Sequence, residues 1–279
     1  MPTVKVATTC IKLRLGSKSK NLTHILELIE KTVAQTNPDI VLLSESVFTR
    51  LNPGAIDNFS DIGMAEATDG PIFTALKAAA QKHGIHLIFN INAPYGNDGP
   101  QGIFNSNFII DPLGEIVGRY DKNMIPPGEV KMGIQTAHNR PVFTLNINGR
   151  DVVVGMMICY DVAFADRDDH PFSPGSERIV KSFTDQGTQI IFNSTIGDYM
   201  LESICEAKKY GVWFVVAGQD EYVWDKPERG FPMGVSGIID PTGTPKLLFS
   251  DRTANAKLSA EDMAFRCGDG SFGCYEICL

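Results

Sequence analysis

The sequence predicts an α/β fold in which two mixed sheets pack face to face between two layers of helices. Three observations predict it. Strand-length apolar runs alternate with segments of helical period, the order that crossover connections produce. Between those units lie stretches with hairpin chemistry, so the sheets must mix parallel and antiparallel pairs. Finally, the turn Asp111-Pro112-Leu113-Gly114 returns as Asp240-Pro241-Thr242-Gly243 after a comparable helix-strand series, which points to an internally duplicated architecture.

Taken in order, Val4 to Ile11 alternates as a strand and gives way to a basic loop, Lys12 to Lys20. Asn21 is expected to cap a helix through about Gln35, with Leu22, Ile25, Leu26, Ile29 and Val33 at helical spacing. Asn37-Pro38-Asp39 stops it. Ile40 to Leu43 is a continuous apolar run, the pattern of a strand buried on both faces, and it leads straight into Ser44-Glu45-Ser46. A second unit runs from Asp69-Gly70-Pro71 to His83, with Gly84 as C-cap and His86 to Ile91 as strand. Phe104 to Ile110 and Glu115 to Lys122 flank the first Asp-Pro-x-Gly turn as a hairpin.

Pro141 to Ile147 and Asp151 to Ile158 flank Asn148-Gly149, a strong hairpin signal, so Cys159 ends the second arm. An irregular acidic loop, Asp166 to Pro174, precedes a helix from about Gly175 to Gln186. Gln189 to Asn193 is the next apolar strand and ends in Ser194 and Thr195. A helix from about Met200 to Tyr210 and a strand from Val212 to Ala217 complete another crossover, and Val235 to Ile239 with Lys246 to Phe249 form the second hairpin. With no linker or break in composition, residues 1–279 read as a single domain with a short cysteine-bearing tail from about residue 260.

Composition narrows the class. At 43% hydrophobic and 21% charged residues the chain is ordinary globular material. It contains no run of about 18 apolar residues to span a membrane and no signal-peptide pattern at its start, so a cytoplasmic protein without a membrane partner is expected. A net charge of -8 with scattered acids argues against nucleic acid, whose backbone needs a basic face. Six cysteines without export signals read as reduced thiols. Cys267, Cys274 and Cys278 lack both a Cys-x-x-Cys pair and neighbouring histidines, so they read as tail thiols and no metal is expected.

Chemistry in open α/β sheets gathers outside the carboxyl ends of strands, and three such ends carry reactive residues. Cys159 follows Val152 to Ile158, although a cysteine in an apolar strand can equally be an inert core residue. It needs a base or cation to become a nucleophile. None of the five histidines sits in a matching motif, which leaves a Cys-His pair with His138 or His170 as a rival reading. A carboxylate and an amine occupy the other strand ends: Glu45 after Ile40 to Leu43, and Lys122 after the first hairpin, with Glu129 close behind in Pro126-Pro127-Gly128-Glu129. Each has a structural alternative, Glu45 as a cap and Lys122 with Glu129 as a solvated loop pair.

Leu42-Leu43-Ser44-Glu45, Gly118-Arg119-Tyr120-Asp121-Lys122 with the following Pro-Pro-Gly-Glu129, and Gly155 to Asp161 around Cys159 resemble, in order and context, the nitrilase (carbon-nitrogen hydrolase) superfamily. Gly187 to Asn193 and Ser236 to Gly243 resemble further segments of that family, so the likeness spans nearly the whole chain. It implies an αββα sandwich, no cofactor and a homodimer or larger homo-oligomer. It also implies roles: Cys159 as nucleophile, Glu45 as general base, Lys122 stabilising the tetrahedral intermediate with the backbone N–H of Tyr160, and Glu129 positioning Lys122 and substrate. Asn193 and Thr195, at the next strand end, become candidates for substrate binding.

The expected reaction is hydrolysis of a small amide or N-carbamoyl compound through a thioester. Nitrile hydrolysis, acyl transfer and a catalytically silent binding subunit are the alternatives. Two features depart from the family pattern. The common Arg-Phe-Pro-Glu run after the nucleophile is replaced by Val162-Ala163-Phe164-Ala165-Asp166, and the loop Arg167 to Pro174 that follows is longer and more acidic than the common form. The Tyr-Asp-Lys and Pro-Pro-Gly-Glu context also resembles the catalytic half of the apolipoprotein N-acyltransferase branch, without its membrane spans.

Overall fold

Alternation along the strands settles the layering. In a computed structural model, which describes residues 3–12, 18–48, 65–94, 102–163, 179–197, 199–220, 235–249 and 272–279, the first half runs β1 (Thr3–Thr9), β2 (Ile11–Lys12), α1 (Lys18–Thr36), β3 (Ile40–Leu42), α2 (Pro71–His83), β4 (His86–Pro94), β5 (Ile103–Ile110), β6 (Ile116–Asp121) and α3 (Pro127–Lys131). The second runs β7 (Phe143–Ile147), β8 (Arg150–Ile158), α4 (Tyr160–Ala163), α5 (Ile179–Thr184), β9 (Ile190–Ser194), α6 (Met200–Tyr210), β10 (Trp213–Ala217), β11 (Gln219–Asp220), β12 (Ser236–Ile239), β13 (Pro245–Phe249) and β14 (Phe272–Cys278). In β3 and the residue after it, Ile40 and Leu42 join the core between the sheets, whereas Val41 and Leu43 pack under the helices with Ile25, Ile29, Phe73 and Leu76. That double burial is why the run shows no polar alternation.

The two sheets repeat one pattern. The first has the order β14-β1-β3-β4-β5-β6 and the second β7-β8-β9-β10-β12-β13, read from the matching edge. In each, an antiparallel edge strand precedes three parallel strands, and two antiparallel strands follow. The two Asp-Pro-x-Gly turns close the equivalent hairpins, β5–β6 and β12–β13. Their side chains act alike: Asp111 Oδ1 accepts the N–H groups of Leu113 and Glu115, and Asp240 Oδ1 those of Thr242 and Thr244. Each turn ends on a glycine at φ near +80°, a conformation that costs a residue with a Cβ. The Asn148-Gly149 turn of the β7–β8 hairpin has both residues at positive φ, as a two-residue hairpin of right-handed twist requires.

Hydrophobic packing is non-directional, so polar bonds fix how one sheet sits on the other. Thr8 Oγ1 donates to Val216 O at 2.7 Å, Ser194 Oγ to Leu43 O at 2.9 Å, and Ser236 Oγ to Thr9 O at 2.9 Å. Ser44 Oγ donates to Gly218 O. These residues cluster at the carboxyl ends of the parallel strands, the rim where the site lies.

Some elements differ from the sequence expectation. α1 begins a turn earlier, at Lys18, so Asn21 is buried inside the helix rather than capping it, and the end of the basic segment is helical rather than loop. Of the helix expected at residues 175–186, 179–184 is helical, and 175–178 lies outside the described residues. The C-terminal segment, read as a packed tail, forms β14 along β1 from Thr3↔Cys278 to Thr9↔Phe272. It lacks the turn signals that gave away the other strands. Cys267 and residues 164–174 of the acidic loop lie outside the described residues. No helix among the described residues is long and apolar enough to cross a membrane.

Candidate active site

Glu45, Lys122 and Cys159 stand one to three residues beyond the ends of β3, β6 and β8, so the packing of the two sheets brings them together. Lys122 is fully buried, with its Nζ 2.8 Å from Glu45 Oε1 and 2.7 Å from Glu129 Oε1. This rules out a solvated loop pair. Glu129 is held by α3, a single turn that opens with Pro127 at its first position. The two glutamates raise the Lys122 pKa well above its ordinary value despite its burial. Burial and the charge of Glu45 push Glu129 up, against the pull of Lys122.

Glu45 is 1% exposed and its partners are all accounted for by geometry. Oε1 accepts Lys122 Nζ and, at 2.8 Å, Asn105 Nδ2, while Oε2 accepts the backbone N–H of Ile196 at 3.1 Å. A carboxylate has about four acceptor positions, so Oε2 retains capacity for one more proton donor. The main chain after Glu45 is also fastened: Gln219 Nε2 donates to its carbonyl, and Ser46, at φ +53°, donates its N–H to Asn90 Oδ1 at 2.8 Å.

Cys159 adopts φ +48°, an uncommon backbone for a residue with a Cβ. The turn is over-determined, as strained positions must be to persist. Its N–H is shared between Ser194 O at 2.9 Å and Asn193 Oδ1 at 3.0 Å. Two residues on, buried Asp161 accepts four hydrogen bonds: Ile158 N–H at 2.9 Å, Tyr120 hydroxyl at 2.8 Å, Asn123 N–H at 3.0 Å and Met124 N–H at 2.7 Å. One carboxylate thus ties the elbow around Cys159 to the segment that follows Lys122. Burial raises Asp161 to about 6, against Lys122 and these donors. Burial and the charge of Glu45 push the Cys159 thiol up to about 12, with Lys122 and a hydrogen bond to Thr195 acting the other way. At neutral pH the sulfur therefore rests as a thiol beside a buried carboxylate and an ammonium, an arrangement able to move a proton from sulfur to oxygen.

The remaining sequence candidates fall around this cluster. Asn193 is fully buried and its Oδ1 serves the Cys159 N–H, so it supports the elbow from β9. Thr195 Oγ1 bonds both the N–H and the carbonyl of Gly197, shaping the turn that presents the Ile196 N–H to Glu45. Tyr160 opens α4 directly after the elbow. Among the histidines, His24 and His138 face solvent, His83 lies 3.1 Å from Glu30, and His86 opens β4 at the end away from Glu45. His170 lies outside the described residues. Asn105, Asn90 and Asp161 escaped the sequence reading. Asp161 stood in the quoted motif without a role, and an asparagine in the middle of an apolar strand, as at Asn90 and Asn105, was the signal available for the others.

Residues 5–168, well over half of the chain, match the carbon-nitrogen hydrolase family. An apolipoprotein N-acyltransferase from Rhizobium meliloti (strain 1021) is 27% identical over 183 residues, which cover 57% of this chain and 30% of that protein. The chain thus spans less than a third of that relative's length. Among solved structures, a variant of the amidase from Nesterenkonia sp. AN1, with acrylamide added at its active-site cysteine, is similar at TM-score 0.67 and 18% identity, over 99% of this chain and 93% of that one. A CN-hydrolase superfamily protein from Xanthomonas campestris, with an arsenic adduct in its active site, is similar at TM-score 0.69 and 16% identity, over 100% of this chain and 91% of that one. At these identities the likeness speaks for the fold, the two-sheet sandwich described above. On the strength of the family match over residues 5–168, the chain belongs to the carbon-nitrogen hydrolase family, within the nitrilase superfamily.

Proposed function

We propose that this protein hydrolyses a non-peptide C–N bond in a small amide or N-carbamoyl compound through a thioester on Cys159, releasing ammonia or an amine. The observation that carries the reading is Lys122, fully buried and held at 2.8 and 2.7 Å between Glu45 and Glu129. Burying a lysine and a glutamate beside a second, partly buried glutamate is costly unless their charges are used or mutually satisfied. In this reading Cys159 Sγ attacks the substrate carbonyl carbon while its proton passes to Glu45 Oε2. Lys122 has a third N–H beyond its two carboxylate bonds, and with the Tyr160 N–H it receives the developing oxyanion. A charge-assisted donor aimed there is worth on the order of 3 kcal/mol in transition-state stabilisation.

Collapse of the tetrahedral intermediate breaks the C–N bond, and the proton on Glu45 goes to the leaving nitrogen. Water then adds to the thioester with Glu45 as base, the acid departs, and the thiol is regenerated. Glu129 anchors Lys122 and meets the substrate. Asn193 and Thr195 hold the elbow and the turn and meet the substrate as well, a role supported by the Asn193 Nδ2, which is buried without a hydrogen-bond partner among the described residues. The single domain, the homo-oligomeric assembly and the cytoplasmic setting belong to the same proposal.

A screen of small amides, carbamoyl compounds and nitriles with ammonia detection identifies the substrate, and intact-mass spectrometry of the wild type traps the acyl adduct. Cys159→Ala is expected to fold, to form no adduct and to lose turnover. Unchanged turnover in that variant would sink the mechanism. The match to an apolipoprotein N-acyltransferase supports a second reading, in which an amine replaces water as acyl acceptor. Supplying amines during turnover distinguishes the two, because transfer yields a new amide where hydrolysis yields the acid.

A further inference from the structure

Asn105 on β5 touches both carboxylates of the site. Its Nδ2 lies 2.8 Å from Glu45 Oε1 and 3.4 Å from Glu129 Oε2. The orientation of this amide is fixed from both ends of a buried chain. The Ser46 N–H must donate, so Asn90 Oδ1 accepts it and Asn90 Nδ2 faces the other way, toward Asn105 Oδ1 at 2.8 Å and Asn107 Oδ1 at 3.0 Å. At the far end Asn107 Nδ2 donates to the carbonyl of Met157, two residues before Cys159. Flipping any one amide would oppose donor to donor or oxygen to oxygen, so Asn105 can present only its N–H groups to the glutamates.

We propose that Asn105 is a positioning residue that holds the negative charge on Glu45, the base for Cys159, and leaves Glu129 as the carboxyl that accommodates a proton taken up by the pair. The proposal rests on Glu45 acting as base in the reading above. Four other groups of the site face Glu45: Lys122 after β6, Glu129 in α3, the Cys159 thiol after β8 and the Ile196 N–H after β9. Tyr199, just before α6, feels the same charges. Lys122 attracts both carboxylates almost equally, at 2.8 and 2.7 Å, so it does not choose between them. The inequality comes from Asn105, short to Glu45 and long to Glu129, together with the Ile196 N–H, which bonds Glu45 at 3.1 Å. A donor bonded to the ionised form favours that form.

The test follows alkylation of Cys159 by iodoacetamide from pH 4.5 to 8, read by intact mass and peptide mapping, in the wild type, Asn105→Leu, Asn107→Leu and Glu45→Gln. The wild-type rate is expected to fall on acidification, where the site loses the base that serves Cys159. In Asn105→Leu that limb moves up by about one pH unit, so the rate is about tenfold lower at a fixed pH on the limb. Asn107→Leu breaks the bonds to Met157 and Asn90 without touching a carboxylate, while the Ser46 N–H still orients Asn90 and through it Asn105. It is expected to lower the melting temperature and leave the limb where it was. A limb unmoved in Asn105→Leu, or moved as far in Asn107→Leu, overturns the proposal. Should Asn105→Leu not fold, Asn105→Thr retains one donor and shifts the limb part of the way, and an unmoved limb there overturns it equally. Glu45→Gln separates the two levels: if it keeps the wild-type limb, Glu45 is not the base, whatever Asn105 does.

Discussion

Removing the buried cation gives a prediction with a sign and a size. Lys122→Met keeps roughly the side-chain volume but leaves Glu45 and Glu129 facing each other without the ammonium that separates them at 2.8 and 2.7 Å. Breaking a buried pair by deleting one partner costs about 3–5 kcal/mol. At about 2.1 cal/mol/K of unfolding entropy per residue over 279 residues, that corresponds to a fall of about 5–9 °C in melting temperature. The loss depends on pH because the orphaned carboxylates can take up a proton. Glu129 already has a folded-state pKa above its ordinary value of 4.5, from burial and the charge of Glu45, and loses the opposing pull of Lys122 in the variant. A folded pKa above the unfolded one means that the folded state gains by binding the proton. The penalty is therefore small below the unfolded value and complete once pH has risen through the folded one. Thermal unfolding followed by circular dichroism should show the full deficit at pH 8 and a clearly smaller one at pH 5. Adding Glu129→Gln should recover part of it at pH 8 and flatten the dependence. A deficit equal at both pH values, or below about 2 °C at pH 8, would refute the view that Lys122 is the charge on which this cluster depends.

Two further outcomes follow from the same geometry. Because burial and Glu45 hold the Cys159 thiol up near 12, free thiolate is not its route to reaction at neutral pH. Between pH 7 and 9 the alkylation of free cysteine in the same buffer rises about 25-fold with its thiolate fraction, whereas that of Cys159 should change by less than about threefold. A parallel or steeper rise would mean that Cys159 reacts as free thiolate, without help from a neighbouring base. Asp161→Asn keeps the size of the side chain but brings an amide N–H to a position surrounded by four donors. Each backbone donor left unsatisfied costs about 1–3 kcal/mol, and the elbow loses its tie to Asn123 and Met124. The melting temperature should fall by several degrees with turnover falling alongside it; a variant within about 1 °C of wild type would show that these bonds are dispensable.

The sequence exposes the architecture where local chemistry and burial agree. β3, β8, β9 and β10 are apolar because both faces are covered, and the turns at Asp111, Asn148 and Asp240 need residues that few others replace. It exposes Glu45 and Cys159 because each follows such a strand, and Lys122 because it closes the hairpin after the Asp111 turn. What it hides is long-range. β14 is found by pairing with a strand some 270 residues away, and its own residues do not announce it. Asn105 and Asp161 matter through partners 24 to 60 and 3 to 41 residues distant, a relation that single-chain periodicity does not encode. Asn193 stands at the strand end where the sequence puts it, but that its amide oxygen receives the Cys159 N–H is a contact the sequence does not encode.

The duplicated sheets also explain why the rim is polar. Glu45 and Lys122 come from the first sheet and Cys159 from the second, so a slip of one sheet over the other by a fraction of a residue would part them. The apolar layer between the sheets resists separation but not sliding, since dispersion and burial are nearly indifferent to small lateral shifts. Directional bonds between the sheets supply the missing constraint: Ser194 to Leu43, Ser44 to Gly218 and Thr8 to Val216, with Asn107 reaching Met157 on the other flank. Leu43 and Ser44 immediately precede Glu45, Met157 lies two residues before Cys159, and Ser194 is the residue whose carbonyl receives the Cys159 N–H. Most of the bonds that register the sheets are thus made by close neighbours of Glu45 and Cys159 or by the residue that receives the Cys159 N–H, so the positional accuracy of the site is set locally rather than inherited from the core as a whole.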